Sequence, residues 1–180
     1  MSVCPGCGAA LPALGLDAPT RYHASGECWA LFGELAAWHA GRADLSFPHQ
    51  LAVDAYGAQH AGGSSRPITT AFSLIGLYLV NVCGSNGREV QLAHMRLDRS
   101  RFDWPVFDPP APAGTPTVQG VLLAVTPQAR AERLREWSAS VWGGWAAMHG
   151  WAEAFCAGQL GPTLPSGAAP RVPIAPRPPR

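Results

Sequence analysis

The chain has 180 residues, a mass of 19.0 kDa and a formal net charge of +1. That length fits one domain with its own core. A content of 47% hydrophobic and only 14% charged residues excludes a wholly disordered chain, and the near-balanced charge speaks against a bulk nucleic-acid binder. The basic residues are 13 arginines with no lysine, which removes Schiff-base and phosphate-loop lysines from consideration.

In chain order, residues 1–27 are punctuated by Pro and Gly and read as irregular. Ser25 is placed to cap a first helix, with Trp29, Leu31, Phe32, Leu35 and Trp38 at helical spacing up to Gly41. Ser46 is placed to cap a second, with Pro48 in its first turn, running to His60. Pro67 opens a third apolar helix, which Gly84 stops, and a shorter one is expected over 89–97. The prolines of 101–117 predict an extended loop, and Thr117 is placed to cap a short turn of helix through Val125. Thr126-Pro127 starts a last helix carrying Leu134, Val141, Met148 and Phe155 every seven residues, with a kink or close approach at Gly143-Gly144. Four of the seven tryptophans fall between Trp137 and Trp151, a density that usually means core.

The fold expected is therefore mainly α: a compact helical bundle with an irregular, metal-knuckle N-terminal segment. Residues 1–157 read as one domain, of which 1–28 form the metal-binding knuckle. Residues 158–180 read as a disordered Pro-rich tail. Its P-x-x-P spacing, as at Pro170 and Pro173, would suit an SH3-like partner, but a solvated tail is the simpler expectation. The start of the chain lacks the basic and apolar regions of a signal peptide, and the longest apolar run, 68–83, is too short to span a membrane. An odd count of five cysteines fits a reducing compartment, so a cytoplasmic location is expected.

One constellation carries chemistry. Cys4 and Cys7 bracket Pro-Gly, and His23 and Cys28 follow, giving C-x2-C-x15-H-x4-C. Two thiolates two residues apart can grip one ion from a tight turn, and a second Cys/His pair a dozen or more residues on completes a structural zinc pattern. One Zn2+ per chain is expected on Cys4, Cys7 and Cys28, with His23 as fourth ligand by spacing and His60 as the alternative. A redox Cys-x2-Cys would normally follow a strand and open a helix, and no strand is read before Cys4. Cys83 and Cys156 are expected in apolar helices as buried, inert thiols.

On a helix, His49, Val53, Tyr56 and His60 share one face, while Asp54 points well away from His60. Asp54, Tyr56, His60 and His149 are candidates for a pocket beside the metal, with buried, internally satisfied polar residues as the plainer reading. The arginines at 96, 99 and 101 and those at 130, 133 and 135 read as solvated faces. No catalytic triad, paired carboxylates, phosphate loop or dinucleotide fingerprint is visible, so no catalytic residue is assigned.

The phrases CPGCG at 4–8, YHASGECW at 22–29 and HQLAVDAYGAQH at 49–60, in this order, resemble an uncharacterised bacterial domain-of-unknown-function family, the 5946 family. The similarity extends over roughly residues 1–157. It implies a metal-binding Cys/His pattern and no established activity. The chain departs from the family pattern at Met148-His149, where His-His is frequent, and at His60-Ala61-Gly62, where His-Pro-Gly is frequent.

Three functions remain open at this level. The first is a binding or regulatory module with a structural zinc and a protein or small-molecule partner. The second is a metal-dependent hydrolytic enzyme with an open coordination position. The third, ranked last on charge, is a nucleic-acid-binding zinc knuckle. The aromatic excess is also compatible with self-association.

Overall fold

The computed structural model describes residues 1–97, 102–114 and 116–161. Among them are a two-stranded antiparallel hairpin, β1 (Ser2–Val3) and β2 (Ala10–Leu11), and seven α-helices. These are α1 (Gly26–Ala40), α2 (Pro48–Gln59), α3 (Pro67–Asn81), α4 (Gly87–Arg96), α5 (Val118–Leu122), α6 (Pro127–Gly144) and α7 (His149–Leu160). The mainly α expectation holds. No helix among the described residues is long and apolar enough to cross a membrane.

Helix ends follow local chemistry. Ser25 caps α1, its Oγ accepting from the Cys28 amide at 3.2 Å. Thr126 caps α6 in the same way, accepting from Ala129 N at 3.1 Å. Asn86 and Glu89 form a reciprocal capping box on α4, which therefore starts two residues before the expected 89. Thr117 begins α5 without a side-chain cap bond.

Three local expectations are corrected. Ser46 does not cap α2. Its hydroxyl donates to Asp44 Oδ1 at 2.7 Å, and the cap position is taken by Phe47 in a left-handed conformation, φ 51°. The single last helix is two. It stops at Gly144, passes through a 3-10 turn at Ala146–Met148, and restarts as α7. His149 serves this break, its Nε2 donating to the Trp142 carbonyl at 2.8 Å while its ring stacks on that indole at 3.9 Å. The N-terminal segment contains the hairpin where only irregular chain was expected. α7 runs to Leu160. The rest of the proposed tail, 162–180, and Arg99 and Arg101 of the first basic group lie outside the described residues.

α2 is the central element, packed against α1, α3, α4 and α6. Seven of its twelve residues are buried, so it has no broad polar face. It comes close to α3 because Gly76 has no side chain: a Cβ there would collide with the Asp54 carboxylate. The main core gathers residues of α1, α2, α5 and α6 together with Cys4, Cys7 and Cys28. A second cluster joins α3, α4 and α7 through Ile75, Leu79, Val90 and Cys156, with Trp104 and Phe155 against it.

The tryptophan-rich segment is core, as its density predicted. Trp137 and Trp145 are buried and reach across to the end of α2. Trp137 Nε1 donates to Gln59 Oε1 at 2.9 Å and Trp145 Nε1 to the Ala58 carbonyl at 3.2 Å. Gln59 Nε2 in turn donates to the Pro116 carbonyl at 2.9 Å. These bonds anchor the residues just before His60.

Candidate metal centre

The hairpin sets up the site. β1 leads into Cys4-Pro5-Gly6-Cys7, which turns back into β2. Gly8 N donates to Cys4 O and Cys4 N to Ala9 O, both at 2.9 Å, closing the knuckle so that both sulfurs face one point. Gly8, at φ 77°, supplies the left-handed residue this turn requires. Cys28 enters from the first turn of α1, and His60 caps the end of α2.

Cys4, Cys7 and Cys28 Sγ and a His60 ring nitrogen lie within 4.8 Å of one another, all four residues buried. Cys7 Sγ is 3.9 Å from Cys28 Sγ, and Cys28 Sγ is 3.3 Å from His60 Nε2. Such a donor set can hold a metal ion. Burying three thiols and an imidazole against each other otherwise leaves polar atoms with few partners.

The surroundings orient each donor. His60 Nδ1 is 2.9 Å from the Tyr56 carbonyl, one turn back on α2. A carbonyl only accepts, so Nδ1 carries the proton and Nε2 presents a lone pair to the sulfurs. The ring is stacked on Tyr56 at 4.0 Å, and Tyr56 on Phe32 at 4.2 Å. The Ser25 amide points at Cys4 Sγ from 3.5 Å. Gly114 N donates to Cys7 O at 2.9 Å, so the Pro-rich loop braces the knuckle from outside. Gly6 is needed for close approach: a Cβ there would collide with the His23 carbonyl and come within 2.7 Å of His60 Cδ2.

The sulfurs are electrostatically linked. Hydrogen bonds from Cys28 and Cys7 hold the Cys4 thiol far below its ordinary value. A hydrogen bond from Cys28 also favours the Cys7 thiolate, but the bond to Cys4 and burial outweigh it and push Cys7 up to about 11. Cys28 is raised further by its bonds to Cys4 and Cys7 and by burial. A bound cation favours the thiolate form of all three.

The predicted site residues divide clearly. Cys4, Cys7 and Cys28 converge, and His60 stands in the fourth place that spacing assigned to His23. His23 is adjacent: its amide donates to the His60 carbonyl at 2.9 Å, and its ring lies against Gly63. It holds the backbone of His60 in place. Tyr56 borders the site through its ring and its carbonyl. Its hydroxyl is buried without a hydrogen-bond partner among the described residues, and burial raises its pKa well above the ordinary value.

Asp54 and His149 do not join. His149 is spent on the α6–α7 break. Asp54 faces Gly76 of α3, and Gln50, one turn earlier on α2, donates its Nε2 to the two carboxylate oxygens at 3.0 and 3.1 Å. Burial, opposed by those bonds, raises its pKa well above the usual carboxylate range. Asp54 lines a cavity of about 320 Å3 with Tyr22, Ser73 and Gln91, and none of the four clustered donors lines it. Cys156 is buried as expected, while Cys83 is half-buried in the turn after α3.

Sequence reasoning missed the Tyr56 carbonyl, the Ser25 amide and the bracing Gly114, all backbone contributions that side-chain motifs do not encode. The available signal was His60 four residues after Tyr56 on one helix face. Comparison with curated proteins and comparison with solved structures each gave no match. A family model does match, over residues 2–146, and the chain accordingly belongs to the family of unknown function DUF5946.

Proposed function

We propose that the chain is a zinc-binding helical module whose centre, Cys4, Cys7, Cys28 and His60, is structural, and that its role is binding or regulation. The observation that carries this reading is the spacing of the donors. A tetrahedral zinc with Zn–S of about 2.3 Å and Zn–N of about 2.0 Å has sulfur–sulfur edges of about 3.8 Å and sulfur–nitrogen edges of about 3.5 Å. The separations of 3.9 Å for Cys7–Cys28 and 3.3 Å for Cys28–His60 lie close to both.

Softness of the donors favours zinc over magnesium or calcium. Four buried protein donors fill a tetrahedron and leave no position for water, which favours a structural over a hydrolytic ion. The metal would tie the hairpin to the start of α1 and the end of α2, adding a covalent-strength link to three segments that already share the main core. The hydrolytic reading gains nothing from Asp54 or His149, which lie away from the cluster.

The test is chelation followed by thermal melting and limited proteolysis. A structural ion predicts a marked fall in Tm and new cleavage within residues 1–28 on treatment with a strong chelator, both reversed by added zinc. A chelated, metal-free protein with unchanged melting and unchanged protease resistance would overturn the structural role.

A further inference from the structure

Away from the metal, at the other end of α1, the structure holds a cavity of about 330 Å3 between α1, α2, α3 and α6. Its size lies at the lower end of the range for small-molecule sites, about 300–1,000 Å3. Leu51, Val80 and Leu134 give it an apolar floor. Its cationic lining is Arg42, just past the end of α1, with Arg130 and Arg135 from α6.

The guanidiniums of Arg42 and Arg130 converge on one ring. Arg42 lies 4.7 Å and Arg130 4.6 Å from the centroid of Trp38, which also lines the cavity. Neither is ion-paired among the described residues. The expectation of a solvated face at 130–135 is thus corrected in part. Arg133 does pair with Glu136 in solvent at 2.7 Å, but Arg130 turns inward, its NH2 donating to the carbonyls of Leu122 and Ala124 at 3.0 and 3.1 Å. Those bonds leave Arg130 Nε buried without a partner.

His39 supplies a second such atom. It lines the cavity at 7% exposure, and its Nδ1 is buried with no hydrogen-bond partner. Burial first, then His49 and Arg130, lower its pKa to about 4, so it is neutral near pH 7 and can donate one hydrogen bond. The acid at the rim, Asp44, is already engaged by the amide and hydroxyl of Ser46 at 2.9 and 2.7 Å. Arg130 Nε and His39 Nδ1 are thus two buried nitrogens without a partner among the described residues, and such atoms are costly unless a partner answers them.

We propose that this cavity binds a small amphipathic organic anion, with its carboxylate or phosphate head against Arg42, Arg130 and His39 and its apolar body on Leu51, Val80 and Leu134. The site is independent of the metal centre: none of the four clustered donors lines it. Arg130 fixes the head, because its carbonyl bonds hold the guanidinium in one place. Arg42 is exposed and adds charge from beside Trp38.

Calorimetric titration of the full-length, metal-loaded protein tests this with benzoate and phenyl phosphate as probes and benzyl alcohol as the neutral control. At least one anion is expected to bind with Kd of about 1 mM or tighter, and benzyl alcohol at least about tenfold more weakly. Which anion binds more tightly distinguishes a carboxylate from a phosphate ligand. Arg42→Gln is expected to weaken anion binding about tenfold. Ala131→Trp, which fills the cavity from an exposed position on α6, is expected to abolish it with metal content and melting unchanged. Equal binding of benzyl alcohol, full binding by Ala131→Trp, or no binding of either anion at about 10 mM would overturn the proposal.

Discussion

His60 Nδ1 lies 2.9 Å from the carbonyl oxygen of Tyr56, and this bond decides which nitrogen of the ring faces the three sulfurs. The same carbonyl also accepts the backbone amide of His60 at 3.0 Å. The last turn of α2 therefore fixes both the backbone and the imidazole of the fourth donor. An orienting hydrogen bond of this kind raises ligand basicity and is worth about 10–100-fold in metal affinity at known sites. A helix end thus becomes part of a donor cluster that can hold a metal without contributing a motif.

Acid should release the metal. Each donor must be deprotonated to bind, so protons compete with the ion as pH falls. Zinc retention measured after dialysis across pH 8 to 4 is expected to fall with decreasing pH, and Tm to fall with it. Retention that is flat to pH 4 would contradict a three-thiolate centre.

Thiol reactivity should sort the five cysteines. In the metal-loaded protein only Cys83, half-buried, is open to a disulfide reagent. Chelation should add Cys4, Cys7 and Cys28. Cys156, buried and with its thiol pushed up to about 12 by burial, should react only on denaturation. Mass spectrometric mapping of the labelled peptides checks the order, and labelling of Cys4 before chelation would count against it.

Much of the fold was readable because helix signals are local. Ser25, Thr126 and Pro67 mark helix starts that the structure places within a residue, and the tryptophans of α6 are core as their density implied. What failed was set by tertiary packing. Phe47 takes a left-handed cap because the turn at 44–47 is tied by Asp44 and Ser46, and strands of two residues leave no periodicity to read. The knuckle was legible because Cys4 and Cys7 are two residues from a shared turn. The choice of His60 over His23 was not, because the two lie 37 residues apart and only folding of α2 brings one of them to the sulfurs.

Gly6→Ala should destabilise the protein by about 1–3 kcal/mol, the usual cost of overpacking a filled site. The added methyl would displace the His23 carbonyl or the His60 ring. Urea denaturation of the metal-loaded protein measures it, and metal affinity should fall in the same variant. An unchanged midpoint would show that the knuckle is looser than these contacts require.

Asp54 should make the protein less stable as pH rises. Its folded pKa lies above the unfolded value, so between the two the folded state holds a proton that the unfolded state has lost. Stability is then greatest below the ordinary carboxylate range and falls as pH increases, by at most about 1.4 kcal/mol per pH unit, until the folded group ionises. Asp54→Asn should remove that slope. The difference between the two unfolding curves from pH 4 to 8 isolates it from the metal, and parallel curves would mean that Asp54 is ionised in the folded protein.

Gln59→Ala should cost about 1–3 kcal/mol by leaving the Trp137 indole N–H without its acceptor. The measurement is again urea denaturation, and a neutral effect would mean that the α2–α6 bond is replaced by water.

The central claim is tested most directly by elemental analysis of the purified protein beside Cys4→Ser, His60→Ala and His23→Ala, after each is equilibrated with a zinc buffer and a competing chelator. The account predicts about one zinc per chain in the parent protein. It predicts sharply reduced content in Cys4→Ser and His60→Ala, and near-full content in His23→Ala. Full zinc in His60→Ala with loss in His23→Ala would contradict it, and so would a parent protein that takes up no zinc under reducing conditions.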